Sequence, residues 1–376
     1  MGAVPAGSFA TKPHRTFLGL AAPVAVALVA EPLVALVDTA FVARLGAAPL
    51  AGLGAGTALL SAALWVFNFL GVGTQTEVAR CLGADDAAHA GENASAALWL
   101  AAGLGSLVAL LLLPAIGTLA EFMGTRDEAY EATRLYLGVR LVGAPAVHVT
   151  IAGFGTLRGL QDMRIPLYIA LFVNAVNLVL DPLLIFGAGP IPSLGVAGAA
   201  WASVISQWIG VAWVWRAVAG RLPLPAVPRG GEIRSLLRIG LDVALRTGAL
   251  LLFLLLATRA ANQLGEAAGG AHQAIRSIWV FSAFLLDAYA HAAQTLIGYF
   301  DGRGARRAVL SVARIACLWS LATGTFLAVT FIAFEEEVRF LLVPSEAYAE
   351  FATAWWIACL QMPINALVFA TDGIHW

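Results

Sequence analysis

Lysine is almost missing from this sequence: Lys12 is the only one in 376 residues. A P-loop needs the run G-x-x-x-x-G-K-[ST], because its lysine reaches the phosphates. No such run occurs, so the chain carries no ATPase of its own. The runs H-E-x-x-H and G-x-S-x-G are absent too. That removes the simplest metalloprotease and serine-hydrolase readings, and no catalytic residue is assigned. Cysteine is scarce: Cys81, Cys317 and Cys359 are far apart and never spaced as C-x-x-C. They read as small buried hydrophobes rather than a zinc or redox set, and no cofactor is called for. Charge is scarce as well, at 12% of residues against about 25% in soluble domains. The net charge of −1 speaks against a nucleic-acid partner.

What fills the chain instead is apolar: 60% hydrophobic residues and a mean hydropathy of +0.83. This is the composition of an all-α polytopic membrane protein. A helix crosses the hydrocarbon with about 20 apolar residues. Apolar runs between charged breaks predict ten spans, at 17–43, 50–78, 93–116, 136–157, 166–187, 196–217, 238–263, 271–299, 309–333 and 352–375. Met1 to Thr16 is a short polar lead without the order of a cleaved signal peptide. Arginines crowd alternate connectors, from Lys12 and Arg15 through Arg158 and Arg164 to Arg303, Arg306 and Arg307. The positive-inside rule places that set, and with it the N-terminus, in the cytoplasm. The connector from Arg221 to Gly231 is rich in proline and glycine and reads as a linker between bundles. The expected organisation is a six-helix lobe at 1–220, a linker at 221–237 and a four-helix lobe at 238–376.

An internal repeat connects the lobes. Leu45-Gly46 recurs as Leu264-Gly265, Gln75-Thr76 as Gln294-Thr295 and Gly83 as Gly302, all at an offset of about 219. Pro145 and Gly155 recur as Pro363 and Gly373 at about 218. A shift of six spans keeps the orientation, which is the pattern of a parallel repeat. The second copy stops where the first has Arg158, so the expectation is a twelve-span protein lacking its last two spans.

Ionisable groups inside spans are costly and mark working sites or paired structural ones. The first span carries Glu31 and Asp38, seven residues apart and so on one helix face. The fifth carries Asn174, Asn177 and Asp181 on one face, followed by Pro182, which cannot donate to the carbonyl of Leu178. An acid, two amides and a freed carbonyl can hold a proton, Na⁺ or a cationic substrate. The other reading is a polar clasp between helices, worth about 0.6 kcal/mol per hydrogen bond. In the eighth span Asp287 and His291 sit at i, i+4, as an ion pair, a proton relay or a substrate contact. Arg246, Arg259 and Arg276 read as partners for Asp242, Asp287 or Asp372, or as snorkelling side chains. Arg140 and His148 in the fourth span are open between structure and function, a lone buried histidine being more often a hydrogen-bonding filler. Loss of a proton from Asp38 would open a site for a cation, and its return would expel that cation. That competition is the physical content of antiport.

The motifs resemble the MATE (multidrug and toxic compound extrusion) family, and its DinF-like branch in particular. The resemblance is carried by Pro32-Leu-Val-Ala-Leu-Val-Asp38, by Gly155-Thr-Leu-Arg158-Gly-Leu-Gln-Asp162-Met-Arg164-Ile-Pro166, and by Asn177-Leu-Val-Leu-Asp181-Pro182. It continues in Leu286-Asp287-Ala-Tyr-Ala-His291-Ala-Ala-Gln294 and from Pro363 to Ile374. Ala288 stands where the branch usually has glycine, and Gln294 where glutamate is common. The resemblance implies two helical lobes around a central cavity, and export of amphipathic or cationic drugs driven by H⁺ or Na⁺. It implies a coupling site at Asp38, Asp181 and Asn177, which would also be the place for Na⁺. Glu31, Asn174, Asp287, His291 and Asp372 are further substrate or relay candidates. The repeat mate of Asp38 is Ala257, so only the first lobe carries the acid. Aromatic residues such as Trp65, Phe67, Phe69, Trp279 and Phe281 suit organic cations. The expected setting is a bacterial inner membrane, as a monomer, with small molecules and the bilayer as partners. The rivals are a flippase for lipid-linked oligosaccharides, which would need an arginine-lined cavity, and a fragment that does not transport.

Overall fold

The computed structural model describes residues 5–225, 230–264, 266–343 and 347–375. Among these residues there is no strand, only an isolated bridge between Ala188 and Ile191. Lipid offers backbone groups no partner, so a spanning chain satisfies them within helices. The helices are α1 (Pro13–Ala43), α2 (Ala47–Trp65), α3 (Phe69–Gly83), α4 (Ala87–Leu112), α5 (Ile116–Phe122), α6 (Asp127–Val142), α7 (Ala144–Gly159) and α8 (Arg164–Ile185). They continue as α9 (Val196–Ala219), α10 (Gly230–Gln263), α11 (Glu266–Gly302), α12 (Arg306–Ala333), α13 (Glu335–Leu342), α14 (Tyr348–Leu360) and α15 (Met362–His375).

Seven stretches are long and apolar enough to cross a membrane. Two further spans are broken: α6 and α7 meet at 46°, and α14 and α15 at 45°. Counting each bent pair as one span gives nine, against the ten expected. The remaining one, at 238–263, falls within α10, whose apolar stretch is shorter, Thr247–Thr258. Side chains such as Leu110, Phe326 and Ile357 are about two-thirds exposed, as lipid-facing side chains are. The expected linker at 221–237 covers the connector after α9, the residues 226–229 that lie outside the description, and the first two turns of α10.

The chain divides into two units. One holds Ala30–Ala244, and so α2 to α9 with the end of α1 and the start of α10. In it α7 packs against α3 and α4, α2 against α6, and α8 against α9. The other holds Met1–Val29 with Leu245–Trp376. In it α15 packs against α11 and α12. Its core is closed by Trp355, which stacks on Phe351 with ring centres 4.8 Å apart.

Candidate functional site

Four helices of the Ala30–Ala244 unit bring polar groups to one place. Asp38 comes from α1, Asn177 and Asp181 from successive turns of α8, Ser203 and Gln207 from successive turns of α9, and Arg140 from the last turn of α6. Asp181 is fully buried, Asn177 nearly so, and Asp38 is half-buried. Asn177 is the hinge pin of the group. With its amide turned to satisfy both ends, Nδ2 donates to Asp38 Oδ1 at 3.1 Å and the oxygen accepts from the Ser203 backbone N–H at 3.2 Å.

The two carboxylates lie within hydrogen-bonding reach of each other. Neither Asp181 oxygen has a donor in reach, although both are buried. Two bare carboxylates in contact repel by about 4 kcal/mol at an effective dielectric of 20. A proton shared between them, or a cation between them, removes that cost. The Arg140 guanidinium is close enough to act electrostatically on both acids. It is held from the other side, Nη1 donating to Gln207 Oε1 at 3.2 Å.

One helical turn from each of these residues lies an apolar plug. Val42 follows Asp38, Ile185 follows Asp181, Ala199 precedes Ser203 and Tyr136 precedes Arg140, each by four residues. All four are buried in one cluster with Leu53, Val196 and Ala200. The polar group is thus closed at one end by hydrocarbon. Thr57 of α2 donates to the Tyr136 hydroxyl at 3.3 Å and fixes that ring in place.

The remaining candidates are distributed as follows. Asn174 is half-buried on α8, one turn before Asn177. Glu31 belongs to α1, with its side chain outside the described residues. Asp287 and His291 belong to α11 in the other unit, with 3.6 Å between Asp287 Oδ2 and His291 Nε2. Asp372 sits half-buried on α15 of that same unit. His148 is fully buried, with Nδ1 2.8 Å from the Ala144 carbonyl and its ring against the edge of Phe67. That is the filler role. Sequence reasoning left Arg140 open and missed Ser203 and Gln207. The signal for the latter two is their i, i+4 spacing in an apolar helix.

A family model, MatE, matches residues 23–183, which contain Asp38, Arg140, Asn177 and Asp181. A probable multidrug resistance protein NorM of Deinococcus radiodurans is 31% identical, over 85% of this chain and 69% of its own. The chloroplastic protein DETOXIFICATION 44 of Arabidopsis thaliana is 33% identical, over 76% of this chain and 54% of its own. The chain spans about half the length of several curated relatives that it matches. Among solved structures, a crystal structure of MATE in the bent conformation superposes with a TM-score of 0.89 at 23% identity, covering 98% of this chain and 83% of that one.

Proposed function

The chain belongs to the MatE family, and we propose that it is a secondary active exporter, moving cationic or amphipathic small molecules in exchange for protons. Na⁺ is the alternative coupling ion. The observation that carries the reading is the pair of carboxylates, half-buried Asp38 and fully buried Asp181, tied to a neighbouring helix through Asn177. A proton joins the two acids. Its loss leaves negative charge in a low dielectric, and a cationic cargo then lowers the energy that the proton had lowered before. Because one charge deficit serves two ligands, each expels the other, and alternating access turns that competition into antiport.

Transport chemistry accounts for the absent enzyme motifs. The rival flippase calls for an arginine-lined cavity, whereas one arginine stands here beside two acids. The multi-pass chain would sit in a bacterial inner membrane with its N-terminus in the cytoplasm, a placement supported by the arginine-rich alternate connectors.

The test is transport into vesicles with an imposed pH or Na⁺ gradient. Asp38→Asn and Asp181→Asn should insert normally and lose gradient-driven export. Export by Asp38→Asn at the unaltered rate would end the reading.

A further inference from the structure

Resting on the exchange reading above, we propose that Arg140 tunes the charge of the cargo this site accepts, shifting its preference from dications towards monocations. Among the described residues, the charged groups that meet at the site are Asp38 from α1, Asp181 from α8 and the guanidinium from α6. From α9 come only neutral groups, the Ser203 backbone N–H and the Gln207 amide. The site with both acids ionised therefore carries two negative charges and one positive, a deficit of one.

The guanidinium cannot lose its charge in a protein. Nor is it free to leave, since Gln207 holds Nη1 while Tyr136 and Val139 of the same helix pack into the apolar plug. Its Nε is buried without a hydrogen-bond partner, and the residue as a whole is half-buried. A fixed positive charge penalises a cargo in proportion to the charge that cargo carries. A dication pays the penalty twice and a monocation once. Replacing Arg140 by a neutral residue therefore helps both, and helps the dication more. The ratio of their affinities moves by the arginine's electrostatic effect on the second charge, which falls with that charge's distance from the guanidinium.

Ethidium and propidium make a suitable pair, since both carry the same phenanthridinium ring and propidium adds a quaternary ammonium. Binding of each to the purified full chain is measured by fluorescence at fixed pH. Arg140→Gln should raise the propidium-to-ethidium affinity ratio roughly tenfold over wild type, while Arg140→Lys, which keeps the charge, should leave the ratio unchanged. A purely structural role would weaken both probes alike, so an unmoved ratio in Arg140→Gln overturns the proposal. Gln207→Glu is the second variant, in case the first does not fold. It keeps the arginine and neutralises it from the side, and it should move the ratio the same way; an unmoved ratio there is equally fatal. Asp38→Asn tests the underlying reading separately. Unchanged ethidium binding in that variant, or none in wild type, would remove the exchange site itself rather than the arginine's part in it.

Discussion

A Cβ on Gly105 of α4 would strike Pro145 at the start of α7, and a Cβ on Gly324 of α12 would strike Ala366 and the Met362 carbonyl and crowd Pro363 at the start of α15. A Cβ on Gly155 would meet the backbone of Gly71, and one on Gly373 the backbone of Ala290. These are the same two close approaches at the repeat offset, one set in each unit. Both involve a helix that begins with proline just after a bend of about 45°. Gln75 and its mate Gln294 are likewise both buried. The units therefore share a packing plan based on small residues, as expected where lipid supplies no hydrophobic drive between helices. They part at the polar centre. Asp38 has Ala257 as its mate, and beside Ala257, among the described residues, stands Thr258, whose hydroxyl lies 3.2 Å from His272 Nε2. A duplicated scaffold keeps its packing in both copies, whereas an ion site need exist only once.

The largest effect that separates the units is on transport. Asp38→Asn should bring gradient-driven export to background, while Asp287→Asn on α11 should leave most of it, both read from dye efflux in vesicles. Equal losses would break the asymmetry. The packing comparison makes the opposite demand. Gly155→Leu and Gly373→Leu should each destabilise their own unit by about 1–3 kcal/mol, the usual cost of forcing bulk into a close-packed contact. Loss of tryptophan fluorescence on heating would report it, and indifference to either substitution would disprove the shared plan. The smallest effect concerns a detail of the first unit. Asp162 Oδ1 accepts from the Arg164 and Ile165 backbone N–H groups and so caps α8, while Oδ2 meets Arg221 at 3.0 Å. Asp162→Ala should cost about 1 kcal/mol, visible as faster amide exchange in the first turn of α8.

The acids were legible because a carboxylate in an apolar run stands out on its own helix. Asn177 followed from its phase with Asp181. Periodicity tells which residues share a face, but not which faces meet. For that reason Arg140 stayed open and the anchoring roles of Ser203 and Gln207 were missed, since each acquires its role from a different helix. The bends escaped for another reason. Hydropathy read the fourth span as starting at residue 136, because Asp127, Glu128, Glu131 and Arg134 are polar, yet the helix begins at Asp127 and breaks at Gly143. Helix geometry follows backbone hydrogen bonds, which the polar first turns satisfy as well as apolar ones do. Gly230 and Gly231 were read as the end of a connector, whereas α10 already begins there.

Asn177 is supported by the main chain of Ser203 at 3.2 Å, closer than the 3.5 Å that separates its amide from the Ser203 hydroxyl. Every amino acid except proline supplies that amide hydrogen. An alanine at position 203 would therefore remove only the longer hydroxyl contact and leave the main-chain support in place. Only a proline, or a chemical edit that swaps the amide for an ester, would expose what that position contributes.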